Sequence, residues 1–179
     1  EVEGVMAMVE LFKNDALGDR IGYISGNTST DKKITDAFNT RFFDGQMKTY
    51  IVEDFTEFKT TFIKAQNEVD MLFVRNYAGI EGWNDEQAQL FLRQYTRIPT
   101  GSHLDFMAKY VVYTMGKIAQ EQGEWAANAA LQILDGTSPA DIPIAENEQV
   151  KLVVNLELAE AAGIVVPMSI LKTAEILGD

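Results

Sequence analysis

The strongest constraint on the fold is a rhythm: short apolar runs at residues 20–25, 47–52 and 69–74 are each followed by a longer stretch with helical periodicity. Residues 31–43 place Ile34, Ala37, Phe38 and Phe42 three and four apart, which turns one helix face to a core. Gly45 then stands where a helix end needs positive φ. Asp54, with Glu57 three residues on, opens a second helix bearing Phe55, Phe58, Phe62 and Ala65. Asn84 caps a third, with Ala88, Phe91, Leu92 and Tyr95 on one side. Parallel strands need crossover helices that cover both faces, so this alternation predicts an α/β fold with a mostly parallel, Rossmann-like sheet flanked by helices. A fourth strand is expected near residues 97–100, running into a turn over residues 99–102.

Beyond residue 100 the spacing changes. Residues 116–119 read as a short extended segment. Residues 120–135 read as a helix with a stripe of Ala126, Ala127, Ala130, Leu131 and Leu134, stopped by Gly136. A loop over residues 137–143, a strand over 150–154 and a short helix over 156–162 ended by Gly163 follow. Pro167 opens a last amphipathic segment that reaches Leu177.

Composition removes whole classes of function. The 179 residues carry 15 Lys+Arg against 27 Asp+Glu, a formal net charge of −12. That balance argues against nucleic acid or an anionic membrane as partner, since phosphate binding needs a basic footprint. There is no Cys, which excludes disulfides and thiolate metal sites. No apolar run approaches the ~20 residues of a membrane-spanning helix. With 46% hydrophobic residues the chain has the means to bury a core.

In an open parallel sheet the loops at the carboxyl ends of the strands form the binding crevice, so the polar residues there are the candidate ligand contacts. After the first strand come Asn27, Thr28 and Ser29, at a helix start whose free N–H groups favour an anion such as a carboxylate. Thr28 or Ser29 either caps its own helix alone or also touches ligand. Asn76 and Tyr77 follow the third strand, Asn76 as a turn former or contact, Tyr77 as a packed ring or a platform. The third loop offers Ser102, His103 and Asp105. These three stand too close in sequence to face one another as nucleophile, base and orienter, and no nucleophile elbow surrounds the serine, so no enzyme is expected. No phosphate-loop Lys and no Gly-x-Gly-x-x-Gly follows a strand, so no cofactor is expected, and the single His with no Cys argues against zinc.

One ordered series of phrases resembles a known family. Residues 123–127 (Gly-Glu-Trp-Ala-Ala) run into 131–143, then 152–156, Ala159, Gly163 and Pro167. Upstream stand 30–33, 41–43, 78–83 and 98–102. Together they resemble the C-terminal half of the ABC-transporter substrate-binding protein family with the type I periplasmic-binding fold. The resemblance implies two Rossmann-like lobes that clamp a small molecule in an interlobe cleft and deliver it to a membrane permease. Some members instead act as ligand sensors with a signalling partner. It implies a periplasmic or extracellular location, membrane-associated in lipoproteins. On this reading residues 1–119 form the second, ligand-binding lobe, and residues 120–179 a crossover helix with the closing strand and helix. Family members are much longer, so the stripe on the 120–134 helix would face the absent first lobe, or serve a homodimer.

Overall fold

The computed structural model describes residues 2–145 and 149–178. In chain order the elements are α1 (Val2–Lys13), β1 (Ile21–Gly26), α2 (Ser29–Phe43), β2 (Lys48–Val52), α3 (Phe55–Glu68), β3 (Met71–Val74) and α4 (Asp85–Tyr95). They continue as β4 (Thr100–Ser102), β5 (Tyr113–Lys117), α5 (Ala119–Leu134), β6 (Val150–Asn155), α6 (Leu156–Ala162), α7 (Met168–Leu171) and β7 (Glu175–Leu177). Seven strands make one sheet in the order β2-β1-β3-β4-β5-β6-β7. All neighbours are parallel except β5 and β6, which pair antiparallel from Tyr113↔Val154 to Lys117↔Val150.

The helix starts follow local chemistry. Thr28 caps α2 by accepting from the Asp31 amide, and Asp54 caps α3 by accepting from the amides of Thr56 and Glu57. The Glu57 carboxylate reaches back to the Glu53 amide at 2.8 Å, a capping box displaced by one residue. Asn84 caps α4 through the Gln87 amide. The end of α2 uses two residues of positive φ, Asp44 (49°) and Gly45 (76°), while α6 stops at Gly163 (72°).

Because β1 lies between β2 and β3, the chain leaves it in opposite directions, and right-handed crossovers then put α2 and α3 on opposite faces. On α2's face, Phe38 packs on Tyr23 with centroids 5.5 Å apart. On the other, Phe58 and Phe62 of α3 meet Phe91 of α4, and Arg93 of α4 pairs with Glu157 of α6. Here Phe58, Phe62, Ala65 and Leu92 are fully buried.

Four elements differ from the sequence expectation. The helix α1 was not foreseen, although Val5, Met8, Val9 and Phe12 repeat at helical spacing; all four are buried, and Phe12 lies 5.1 Å from Phe73 and 6.4 Å from Tyr113. The fourth strand is residues 100–102, so the expected turn is itself a central strand. Its neighbours decide this: Thr100 and Gly101 pair with Leu72 and Phe73, and Gly101 and Ser102 with Tyr113 and Thr114. A Cβ on Gly101 would lie 2.7 Å from Phe12 and 2.8 Å from the Met8 sulfur, so the glycine is what lets α1 lie flat on the sheet. The extended segment expected at 116–119 is β5, three residues earlier, and α5 already starts at Ala119. The final segment is no single helix: α7 spans one turn, and residues 175–177 add β7 beside β6, where the backbone of β6 offers an unpaired edge.

The 120–135 expectation matches α5 closely, but its surroundings stand apart from the rest. Every residue of the expected stripe is exposed, and Ala129 is the one buried residue of the helix. Trp125, Ala129 and Ile133 share an apolar cleft of about 370 Å³ with Pro139, Ile142 and Ile144.

Candidate functional site

The strand order places a topological switch point between β1 and β3, where the following loops diverge. Asn27, just past β1, is half-buried; its amide donates to Glu53 beyond β2, and its Oδ1 is enclosed without a hydrogen-bond partner. The Thr28 hydroxyl accepts from the Asp31 amide (3.0 Å) and donates to the Asp31 carboxylate (2.7 Å). Ser29 opens α2 and is exposed.

From the other side of the switch point, Asn76 Nδ2 donates to Asp31 Oδ1 (3.1 Å), and its Oδ1 accepts from the Ala78 amide (2.8 Å), a side-chain turn. Arg75 Nε lies 3.8 Å from the same Asp31 oxygen. The two loops touch through glycines: a Cβ on Gly79 would lie 2.5 Å from the Thr28 methyl, and one on Gly26 2.8 Å from the Gly79 carbonyl carbon. Asp31, 5% exposed, is therefore the hub joining Thr28, Asn76 and Arg75. Sequence reasoning passed over it; its place three residues after the capping Thr28 was the available signal.

Tyr77 stacks on Trp83 (5.3 Å, 13°) and meets the rings of Phe106 and Tyr110 edge-on, with Phe106 half exposed at the rim. Burial pushes the Tyr110 hydroxyl up to about 12, and that of Tyr23, beneath the crevice, further above its ordinary value. Both stay protonated hydrogen-bonding groups at any physiological pH.

The third loop divides. Ser102 is buried and donates to the Arg75 carbonyl (3.1 Å), so it fixes the β3 loop from below. The His103 ring stacks on Phe73 at 5.4 Å and lies 5.6 Å from Phe38. Asp105 is exposed and turned toward β5, where its carboxylate fills the space over Gly116: a Cβ there would lie 1.2 Å from Asp105 Oδ1. The structure thus brings Asn27, Thr28, Ser29, Asn76 and Tyr77 to one edge, with Ser102 beneath them and Asp105 over the neighbouring strand. Among the described residues, no group of three His, Asp or Glu side chains could hold a metal ion.

Between Tyr23, Phe73, Val74, Arg75, Ser102 and His103 the crevice floor encloses about 10 Å³, the room one water needs. Small-molecule sites enclose about 300–1,000 Å³. The floor space alone is too small for such a molecule.

Comparison with known proteins gives the same frame. A model of the family described as ABC transporter substrate binding protein matches residues 44–177. Among solved structures, a substrate-binding protein with adhesive properties from Clostridium difficile, ligand-free and open, superposes with TM-score 0.73 at 18% identity, over 97% of this chain and 59% of that one. An ABC domain in complex with L-Trp from Streptococcus pneumonia gives 0.61 at 21%, over 99% and 60%. A conserved domain protein from Vibrio cholerae gives 0.61 at 15%, over 97% and 58%. The chain thus spans about three fifths of the structures it resembles. No curated protein sequence matches it.

Proposed function

The chain belongs to the ABC transporter substrate binding protein family, and from that premise we propose that it is one jaw of the extracytoplasmic solute-binding component of an ABC-type uptake system, with no chemistry of its own. The observation that carries this reading is the crevice at the switch point: polar groups gathered on one edge, with too little enclosed space to hold a solute unaided. A binding protein that closes two surfaces on its cargo needs such an open half-site.

The proposed contacts are Asn27, Thr28, Ser29, Asn76 and Tyr77 on the edge, Ser102 acting through the Arg75 carbonyl, and Asp105 at the margin. The ligand is a small organic molecule bearing a carboxylate; L-Trp, present in the Streptococcus relative, has that group and a ring that suits the Tyr77 and Phe106 rim. Residues 1–119 would carry the ligand surface and residues 120–179 the crossover and closing elements. No described helix is long and apolar enough to cross a membrane. As in its family, the solute would be handed to a membrane permease. The apolar cleft along α5 would be covered by the facing lobe.

Native mass spectrometry of the protein purified from its own cells is expected to show a co-purified small molecule, with Asn27→Ala and Tyr77→Ala lowering its occupancy. Protein that carries no adduct and gains no thermal stability from any amino acid or small carboxylate would overturn the assignment. A dimer in sedimentation velocity that Trp125→Ser abolishes would replace the facing lobe by a second copy as the partner of α5.

A further inference from the structure

Five arginines stand in this chain, and the chain itself supplies hydrogen-bond acceptors for three of them. Arg20 donates twice to Asp70 at 2.9 Å, Arg93 donates to Glu157, and Arg97 donates to the Thr96 and Gln94 carbonyls at 2.6 Å. Arg41 is exposed, its guanidinium 5.5 Å from the Phe42 ring. Arg75 is held in the crevice and yet left unused. Its backbone is pinned at the end of β3: the amide donates to the Ile24 carbonyl (2.9 Å), and the carbonyl accepts from Ser102 (3.1 Å). Its side chain is 21% exposed and makes no hydrogen bond among the described residues. Nε is enclosed, 3.8 Å from Asp31 Oδ1, which is beyond hydrogen-bond length. The two terminal nitrogens are neither bonded nor enclosed, so the exposed part of the side chain includes them, and the residue lines the crevice floor with Ser102 and His103. We propose that Arg75 is the ligand-binding residue that receives the solute's carboxylate through its terminal N–H groups. The proposal rests on reading the crevice as the ligand edge, and it gives the carboxylate expected there its partner.

The physics is unmet hydrogen bonding. A guanidinium carries five N–H donors in a planar fork that matches the two oxygens of a carboxylate, and donors drawn partly out of water cost free energy until an acceptor meets them. Asp31 does not meet them: its oxygens already accept from the Thr28 hydroxyl and Asn76 Nδ2, and it faces only Nε, at ion-pair range. The same pairing steadies the stem of the side chain, so less freedom is lost when a ligand engages the fork. A chain of net charge −12 repels anions as a whole, so a carboxylate that binds here needs a local cation with donors to spare.

The test uses acetate, with acetamide as its uncharged counterpart, so its outcome does not depend on which solute is carried. In NMR spectra of the wild-type chain the Nε–H signal of Arg75 is expected to move with acetate and to reach half its change at a concentration about tenfold below that for exposed Arg41. Acetamide should leave it in place. In Arg75→Lys, which keeps the charge and loses the fork, the amides of Asn76 and Ser102 should need about tenfold more acetate for the same response. An Arg75 signal that acetate does not move, or moves only at the concentration that moves Arg41, overturns the proposal. So does an equal response to acetamide, and these wild-type readings hold whether or not the variant folds. Failure here leaves the solute-binding reading to the co-purification experiment, and an empty co-purification leaves the acetate result standing.

Discussion

Helices α3 and α5 make an instructive pair. Both are amphipathic, of 14 and 16 residues, and α5 is the more apolar by composition. Yet α3 buries Phe55, Phe58, Phe62 and Ala65 against strands and α4, while α5 buries Ala129 and leaves Trp125, Leu131 and Leu134 in solvent. The difference lies in what the sheet offers. α3 crosses between two strands of one sheet and must lie on it, whereas α5 leaves from the end of β5 and the chain returns as β6, so nothing in the described residues requires α5 to lie on the strands. A helical stripe states that a partner is needed without saying where that partner is.

The contrast breaks most readily at its buried end. Phe62→Ala should cost about 3–5 kcal/mol in urea denaturation, since the ring is fully buried between Phe58 and Phe91. Gly101→Ala is expected to cost about 1–3 kcal/mol, because the new methyl would overlap Phe12 and Met8 in a layer with no slack. Asn155→Ala, which removes the cap of α6 and the donor to the Ala108 carbonyl, should cost about 1–2 kcal/mol by the same assay. At the other end, Leu134→Ser should change stability by no more than about 0.5 kcal/mol, its side chain being 81% exposed. A large loss for Leu134→Ser would show that α5 is covered in solution and would dissolve the comparison.

What could be read from sequence follows from how local each cause is. The caps Thr28, Asp54, Asn84 and the stop at Gly163 act within four residues of themselves, so the starts of α2, α3 and α4 and the end of α6 were legible. Residues 100–102 become a strand because β3 and β5 flank them and α1 presses on Gly101, causes that lie far along the chain. Residues 175–177 likewise owe their strand to the edge of β6. For the crevice, the loops that hold it were foreseen from strand ends alone. The role of Asp31 was not, because it depends on Arg75 and Asn76 arriving from more than forty positions away.

The antiparallel step from β5 to β6 also sets an order of events. A chain that folds as it is made completes β5 and then adds residues 118–149 before the strand that covers β5's outer edge exists. At typical synthesis rates that interval is ~2–6 s, during which the edge beside Tyr113 and Thr114 is open to any passing strand. A ribosome-bound chain that has emerged from the tunnel through β5 but not as far as Val150 should therefore be cut by protease within β5, and one that has emerged past Asn155 should resist. Equal resistance of the two would mean that the edge is guarded before β6 arrives.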